Sequence, residues 1–509
     1  MIPPPETSLL FQFWIAVYAI AQLLYFATFV VVGYFLTRTV NLVDENKPFE
    51  DDEQKLPFMV LAYPVLREDF ATMHTTLVAL SRTDYPRSRY RVIAIPNGDD
   101  IWNILDLRRL QKEFSFLEIM EAPPTSDPRW DIVWQAWAVN PKAYWFHQGS
   151  RCGSRDLPPK KTRQLIYLFY TLVAEMGTDW VFDYIDADSI PPSNHFRIAS
   201  EGLKHYDVLQ SQNVAGNLLG SIPASLHSLD HMCWDGYLYP HMSANGTHPY
   251  YVLGKGLFYR ASDLLELGCF NPWIAIEDPE VGMRLWTNGR RLGIIAAPLI
   301  EEVPRTFRAG IVQRSRWMCG FFQSLAAPLQ HMGMPFWRRM QARLNIVPVL
   351  SHPINVIGLP TGAYALYLFV KGADPFPLWL VALSALNIIF YAVMVSVFLR
   401  NAYHRTKLVL VKPRQRLSYM LRVNPITLFL YHVVWAIPIC IGFVMFLADR
   451  GKTWRRTPKF DADHRFIEPG PEELLWERRS ALPEKSAEAV GAERSSLGGE
   501  DQEKPVKAA

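Results

Sequence analysis

Hydrophobic positions divide this chain into long apolar blocks near its two ends and an alternating middle. Residues 9–36 form an uncharged apolar run, longer than the roughly 20 residues that cross a bilayer as a helix. Residues 344–370, 376–399 and 425–447 are three further candidate spans. Between about Lys55 and Cys319 the pattern changes. A short apolar run at 58–62 ends at Tyr63-Pro64 and precedes a helix-like stretch at 68–81; residues 90–95 form a second buried-strand pattern, stopped by Pro96-Asn97-Gly98. Residues 165–176 and 279–287 predict helices, and 180–185 a strand. Strands alternating with helices imply an α/β domain with a mostly parallel sheet, whose ligands gather at the carboxyl ends of the strands.

The charges flanking the apolar blocks orient them. The first run is too long for a cleaved signal peptide, has no Lys or Arg before it and is followed by no small-residue cleavage site. Arg38 and Lys47 follow it, which puts the N-terminus outside and the next domain inside. Arg400, Arg405, Lys407, Lys412, Arg414, Arg416 and Arg422 mark the loop before the last run as cytosolic, and residues 450–459 are basic too. Both flanks of the last run thus read as inside. Pro438 leaves re-entry and crossing both open. Residues 330–343 mix Met, Phe and Trp with Arg338, Arg339 and Arg343, which suits an interfacial helix and equally a linker. Beyond about residue 482, Glu, Lys, Ser, Ala and Gly dominate, the composition of a disordered tail. The expected organisation is an N-terminal transmembrane helix (1–40), a catalytic domain (55–320), an interfacial region (321–343), a C-terminal transmembrane region (344–450) and a cytosolic or disordered tail (451–509).

Composition narrows the function classes. Half of the 509 residues are hydrophobic and 20% charged, more apolar than most soluble enzymes. A net charge of +3 is too small to indicate a nucleic-acid partner. The five cysteines contain no C-x-x-C pair, so neither zinc nor a disulfide framework is indicated; reduced thiols on the cytosolic side are the expectation.

Three motifs carry chemistry. Asp186-Ala187-Asp188 directly follows the 180–185 strand. Extended residues two apart point the same way, so both carboxylates can face one point, with oxygen ligands that suit Mg2+ or Mn2+ sharing its shell with substrate phosphates; a solvated loop start is the other reading. Asp183, within the strand, reads as structural. Glu277-Asp278-Pro279 begins a helix-like stretch. It reads either as an N-cap with Pro in the first turn or as the site of a general base. In Gln313-Arg314-Ser315-Arg316-Trp317, helical spacing makes Gln313 a neighbour of Arg316 and Trp317. Arginine forks suit a diphosphate and a Trp face suits a sugar ring, while a membrane-proximal anchor remains open.

The order of these motifs resembles the inverting family 2 glycosyltransferases of GT-A fold, and within them the membrane-integrated branch of cellulose and hyaluronan synthases, over residues 57–317. The resemblance implies that Asp186 and Asp188 bind the metal, with Asp186 also at the donor. It makes Asp278, beside Glu277 in the E-D motif, the general base. Arg314 and Arg316 would contact the diphosphate, and Trp317 with Gln313 would border the acceptor. Weaker correspondences make Tyr63, Glu68, Asp99 and Lys161 donor-binding, with Lys160 equally placed beside Lys161. Gly254-Lys255-Gly256 resembles the small-residue turn near the acceptor, and Trp454-Arg455-Arg456-Thr457 a tail motif that favours a cytosolic C-terminus.

The implied reaction is an inverting transfer from a nucleotide-diphosphate sugar, a UDP-sugar first, to a growing polysaccharide. It would need Mg2+ or Mn2+ and take place at the cytosolic face of a bacterial inner membrane. Ser351, His352 and Asn355 would line a product path or make interhelical contacts. A single sugar added to a lipid acceptor is the first alternative, and a nucleotide-binding channel or transporter the second. Sugar, linkage and accessory subunits are not named by the sequence.

Overall fold

The computed structural model describes residues 9–44, 49–328, 335–346, 351–372 and 376–448. Its α/β domain is built on a seven-stranded sheet: β1 (Met59–Val65), β2 (Tyr90–Pro96), β3 (Leu117–Ile119), β4 (Val181–Tyr184), β5 (Val208–Ala215), β6 (Leu257–Arg260) and β7 (Leu292–Glu301). The order across the sheet is β3-β2-β1-β4-β6-β5-β7. β1 pairs in parallel with β2 and β4, and β5 with β7; β6 runs antiparallel to both β4 and β5. β6 therefore joins two parallel halves. Every residue of β1 is buried, as expected of a strand covered on both faces, with Leu61, Tyr63, Val92 and Phe196 in one core.

The expected end of the first strand at Tyr63-Pro64 is corrected: β1 continues through Pro64 to Val65. Parallel pairing explains why proline is tolerated. The carbonyls of Phe58 and Ala62 face β4, so Pro64, of the same parity, turns its missing N–H to that side. Pairing with β4 has already ended at Ala62, so no ladder bond is lost.

The helices that matter for the site are α1 (Leu9–Leu36), α2 (Phe70–Leu80), α3 (Lys161–Met176), α4 (Asp278–Thr287), α5 (Phe307–Leu325), α6 (Phe336–Ile346), α7 (His352–Val370), α8 (Leu378–Thr406), α9 (Pro413–Arg422) and α10 (Pro425–Leu447). Four of them, α1 (from Gln12), α7, α8 and α10, are long and apolar enough to cross a membrane. The expected span at 344–370 starts late: Leu344 and Asn345 belong to α6, and α7 begins at His352 with Pro353 in its first turn, where proline's missing N–H costs nothing. α8 runs past 399 to Thr406 because Arg405 is drawn onto the domain, donating to Gln212 Oε1 (2.8 Å) and Asn213 O (3.1 Å). The expected domain boundary at 320 falls inside α5. Residues 451–509, including the 454–457 motif and the tail beyond 482, lie outside the described residues.

α1, α7 and α8 turn their apolar side chains outward and their polar ones toward each other. Phe13, Trp14, Leu378 and Trp379 are exposed, whereas Gln22 donates to Gly358 O and Thr361 Oγ1 (both 2.9 Å) and accepts from Asn387 (2.9 Å). Polar groups within an apolar segment need such internal partners. α10 instead lies along α5. A Cβ at Gly442 would stand 2.9 Å from Cys319 N and Ser315 O, so only glycine admits this approach. α9 rests on the α/β domain, with Tyr419 Oη 2.8 Å from Ser228 Oγ and Arg422 donating to Leu219 O (2.9 Å). The basic loop thus sits on the domain's side of the helices. α6 is tied to the end of α5 through Arg343, which donates to Leu325 O and Ala327 O, and exposes Phe336 and Trp337.

A Cβ at Gly358 would lie 2.4 Å from the Tyr25 ring. Gly358→Leu should force α7 away from α1 and cost about 1–3 kcal/mol, the usual range for overpacking. The check is a lowered melting temperature in detergent.

Candidate active site

The site grows from the carboxyl end of β4. Two buried hydroxyls behind it hold the turn: Tyr63 Oη (2.9 Å) and Thr76 Oγ1 (2.8 Å) both donate to Ala187 O. With the middle residue pinned, Asp186 and Asp188 open onto one cavity of about 330 Å³. Asp183 points the other way, buried and 2.9 Å from His195 Nε2.

α4 brings the second acidic pair to the same cavity. Glu277 accepts from Thr162 Oγ1 (3.2 Å), and Asp278 Oδ1 accepts from Tyr184 Oη (2.9 Å). Gly254, at φ +81°, lets the neighbouring turn come close: a Cβ there would meet Asp278 Oδ2 at 2.4 Å. The cation among these acids is Lys161, at the start of α3. Its Nζ donates to Asp186 Oδ1 (2.8 Å) and Gly254 O (2.9 Å), lies 3.7 Å from Glu277 Oε1, and sits 4.7 Å from the Tyr184 ring centroid. Lys160 is buried and donates to Ile274 O (3.3 Å), so the two lysines that looked interchangeable differ in what they touch.

Burial and charge shift these groups. Burial, and then the adjacent Glu277, raise the Asp278 carboxyl well above its usual range, against the downward pull of Lys161 and the Tyr184 hydrogen bond. Burial alone would lower the Lys161 ammonium; Asp186, Glu277 and Asp278 outweigh it and hold Lys161 above its ordinary value. Burial pushes the Arg316 guanidinium down, against the upward pull of the same three acids.

From α5, Gln313, Arg316 and Trp317 line the cavity, as do Glu68, Gly254 and Lys255. Lys255 is ion-paired with Glu301. Three residues expected at the donor do not line this cavity. Tyr63 is fully buried beneath the D-x-D turn. The Asp99 side chain is 76% exposed, 3.9 Å from Arg163; the buried residue of its loop is Asn97, which accepts from Arg163. Arg314 is buried in an ion pair with Asp230, which also accepts from Tyr431 and from Trp435 Nε1 (2.9 Å). Helix geometry explains the difference from Arg316: residues two apart on a helix face different directions, so one arginine reaches the cavity and the other the α10 seam.

The cavity continues among the apolar helices, past Phe29 and Val32 of α1, His352 and Asn355 of α7, and Val395 and Phe398 of α8. Trp317 and Trp435 lie 6.3 Å apart at the junction. Tyr184 was legible in principle, because it is two residues from Asp186 on the same face of a strand. Asp230, Tyr431 and Trp435 carry no local signal. Among the described residues no group of three or more His, Cys, Asp or Glu could by itself hold a metal. Asp186 and Asp188 form an all-oxygen pair on the cavity wall, which fits Mg2+ or Mn2+ only with substrate oxygens completing the shell.

Residues 181–448, just over half of the chain, match the model of glycosyl transferase family group 2. The chain belongs to this family. It is therefore a family 2 glycosyltransferase, a sugar-transferring enzyme, and its α/β domain is of GT-A type. Among solved structures it is similar to a mannosyltransferase from Pyrobaculum calidifontis, in complex with GDP-Man and Mn2+, at 13% identity and a TM-score of 0.45, covering 85% of this chain and 99% of that one. It is also similar to residues 1–349 of S. aureus TarS, at 12% identity and a TM-score of 0.32, covering 80% and 95%. Neither likeness is strong enough to carry a residue's role across. No curated protein sequence matches the chain.

Two variants test this geometry. Tyr184→Phe removes a hydrogen bond that favours the Asp278 carboxylate, so Asp278 should hold its proton to higher pH. The acid limb of kcat/KM should move alkaline, with the lost activity recovered there. Asp230→Ala leaves the Arg314 guanidinium buried without its counter-charge, which should cost about 3–5 kcal/mol, read by denaturant unfolding.

Proposed function

We propose that this family 2 glycosyltransferase moves a sugar from a nucleotide-diphosphate donor, a UDP-sugar first, onto a growing polysaccharide, with inversion and with a divalent metal. The observation that carries the reading is the convergence of Asp186, Asp188, Glu277, Asp278, Arg316 and Trp317 on one cavity. Asp278 is the general base. An acceptor hydroxyl gives its proton to the Asp278 carboxylate as its oxygen attacks the anomeric carbon. The bond from that carbon to the diphosphate oxygen breaks on the opposite face, and the centre inverts. Burial makes Asp278 a stronger base than an exposed carboxylate. Tyr184 orients it, with Glu277 alongside. Lys161 and Arg316 face the charge growing on the leaving diphosphate, the kind of preorganised stabilisation that lowers such barriers; Glu68 belongs to the donor side. Mg2+ or Mn2+ held by Asp186 and Asp188 would supply further charge neutralisation there. Trp317 with Gln313, and the Gly254-Lys255 turn, border the acceptor.

The domain organisation follows the described helices: α1 as N-terminal anchor, the α/β domain through α5, α6 at the interface, and a C-terminal membrane region. The basic loop carrying α9 lies against the α/β domain, which supports a cytosolic catalytic face, in a bacterial inner membrane on this reading. A second acceptor reading, one sugar added to a lipid, is supported by the apolar stretch of the cavity along Phe29, Val32, Val395 and Phe398. Membership of an enzyme family removes the channel-only alternative.

Reconstituted protein incubated with a panel of nucleotide sugars should give a polymer or ladder from one donor; a single lipid-linked sugar would instead establish the second reading. Excess chelator should abolish turnover and Mn2+ or Mg2+ restore it. Asp278→Asn should lower kcat by about 10²–10⁴-fold, with donor binding retained. Normal turnover by that variant would sink the base assignment.

A further inference from the structure

With one exception, the exposed apolar side chains of the α/β domain gather along a single edge of its sheet. Among the described residues of the domain the large ones are Ile101, Trp102, Leu105, Val139, Ile222 and Phe307. Ile101, Trp102 and Leu105 follow the carboxyl end of β2, Ile222 that of β5 and Phe307 that of β7. These three strands run the same way, so their carboxyl ends share an edge. Val139 is the exception. Asn140 beside it donates to Leu265 O and Glu266 O (both 3.1 Å), past the carboxyl end of β6, the strand of opposite direction.

The shared edge is the one that faces the apolar helices. The cavity that starts past β4 continues from it among α1, α7, α8 and α10. α5, which follows β7, packs along α10 at Gly442, and α9 rests on Leu219 and Ser228, past the end of β5. All of these supports belong to the β5 and β7 end of the sheet. At the β2 end the same edge carries the helix Ile101–Glu113. Its inner face is complete without the three exposed side chains. Ile104, Leu107 and Leu110 are buried, and Asn103 exchanges hydrogen bonds with the Glu68 backbone, accepting from its N–H (3.0 Å) and donating to its carbonyl (2.6 Å). Ile101 and Trp102 stand four and three residues before Leu105, so the three meet on the outer face. Scattered exposed apolar residues are ordinary; a contiguous group on an edge that already meets apolar helices marks a covered surface.

We propose that Ile101, Trp102 and Leu105 dip into the headgroup layer of the bilayer, so that lipid holds the β2 end of the sheet edge while α5 and α10 hold the β7 end. Tryptophan suits that boundary, with an apolar ring and a polar N–H on one side chain. The contact is an apolar one. Asp99 and Asp100 stand next to Ile101 and offer nothing to anionic headgroups, so a zwitterionic surface is enough.

The test places one environment-sensitive fluorophore beside the intact patch. Asp99, whose side chain is 76% exposed, is changed by Asp99→Cys in the full chain, with the exposed Cys152 and Cys440 removed as Cys152→Ser and Cys440→Ser. Val139→Cys in the same background is the control. Each labelled protein is reconstituted into phosphatidylcholine vesicles with or without a headgroup nitroxide. Emission at position 99 should fall about two-fold or more with the nitroxide, because an interfacial side chain sits only ~5–10 Å into the headgroup boundary; emission at position 139 should not change. Adding Ile101→Ser with Trp102→Ser should abolish the quenching and leave the melting temperature in detergent at its parent value, since both positions are exposed. No quenching at position 99, or equal quenching at 99 and 139, would overturn the proposal. Quenching that survives the two serines would overturn it too, as would self-association in detergent that the serines abolish, which would give the patch to a second copy of the chain.

Discussion

Asp186, Asp188, Glu277 and Asp278 share one cavity, and their arrangement depends on the cation set among them. Lys161 touches Asp186 and the Gly254 carbonyl directly, stands 3.7 Å from Glu277 and lies over the Tyr184 ring. Burial first, and then the like charge of Glu277, raise the Asp278 carboxyl well above its usual range. With Arg316 facing the same acids, the Lys161 ammonium favours their ionised forms. The same residue ties three segments distant in sequence, the start of α3, the end of β4 and the turn before β6, to the Glu277-Asp278 corner. A chemical arrangement and a packing arrangement are here the same set of contacts.

The membrane helices join this centre through a second buried charge. Asp230 lies between the domain and α10, accepting from Arg314, Tyr431 and Trp435. It is the first residue of a π-helical segment, Asp230–Leu238, a distortion that recurs at functional sites. Arg314 thus fastens α5 to α10, while Arg316, half a turn on, faces the cavity. Gly442 makes the close approach of the two helices possible. Any shift of α10 would be felt at Trp317, whose ring lies near that of Trp435. The active site and the apolar helices are one mechanical unit at this seam.

Each motif could be read two ways from its residue types, and it was their order, through the resemblance to family 2 glycosyltransferases, that singled them out. Asp186, Asp188, Glu277, Asp278, Gln313, Arg316 and Trp317, chosen as short motifs visible locally, do line one cavity. The alternating middle implied an α/β domain for a similar reason: periodicity records which face of each element is buried. The last apolar run was legible to its ends, because apolar length is a local property. Tyr63, Asp99 and Arg314 do not line the cavity, because a motif position specifies a neighbourhood along the chain and not a direction in space.

What the sequence determined by itself was the class of domain, the stretches apolar enough to span, and the acids and aromatics available for sugar transfer. Tertiary structure decided which of two adjacent lysines enters the acidic cluster, which of two arginines faces the cavity, and that Tyr184 meets Asp278 and Asp230 meets Arg314. The physical reason is that burial and partnering depend on contacts between residues tens to hundreds of positions apart. Arg314 meets Asp230 across 84 positions and Tyr184 meets Asp278 across 94. No local pattern encodes such a meeting; only the folded sheet and its helices bring it about.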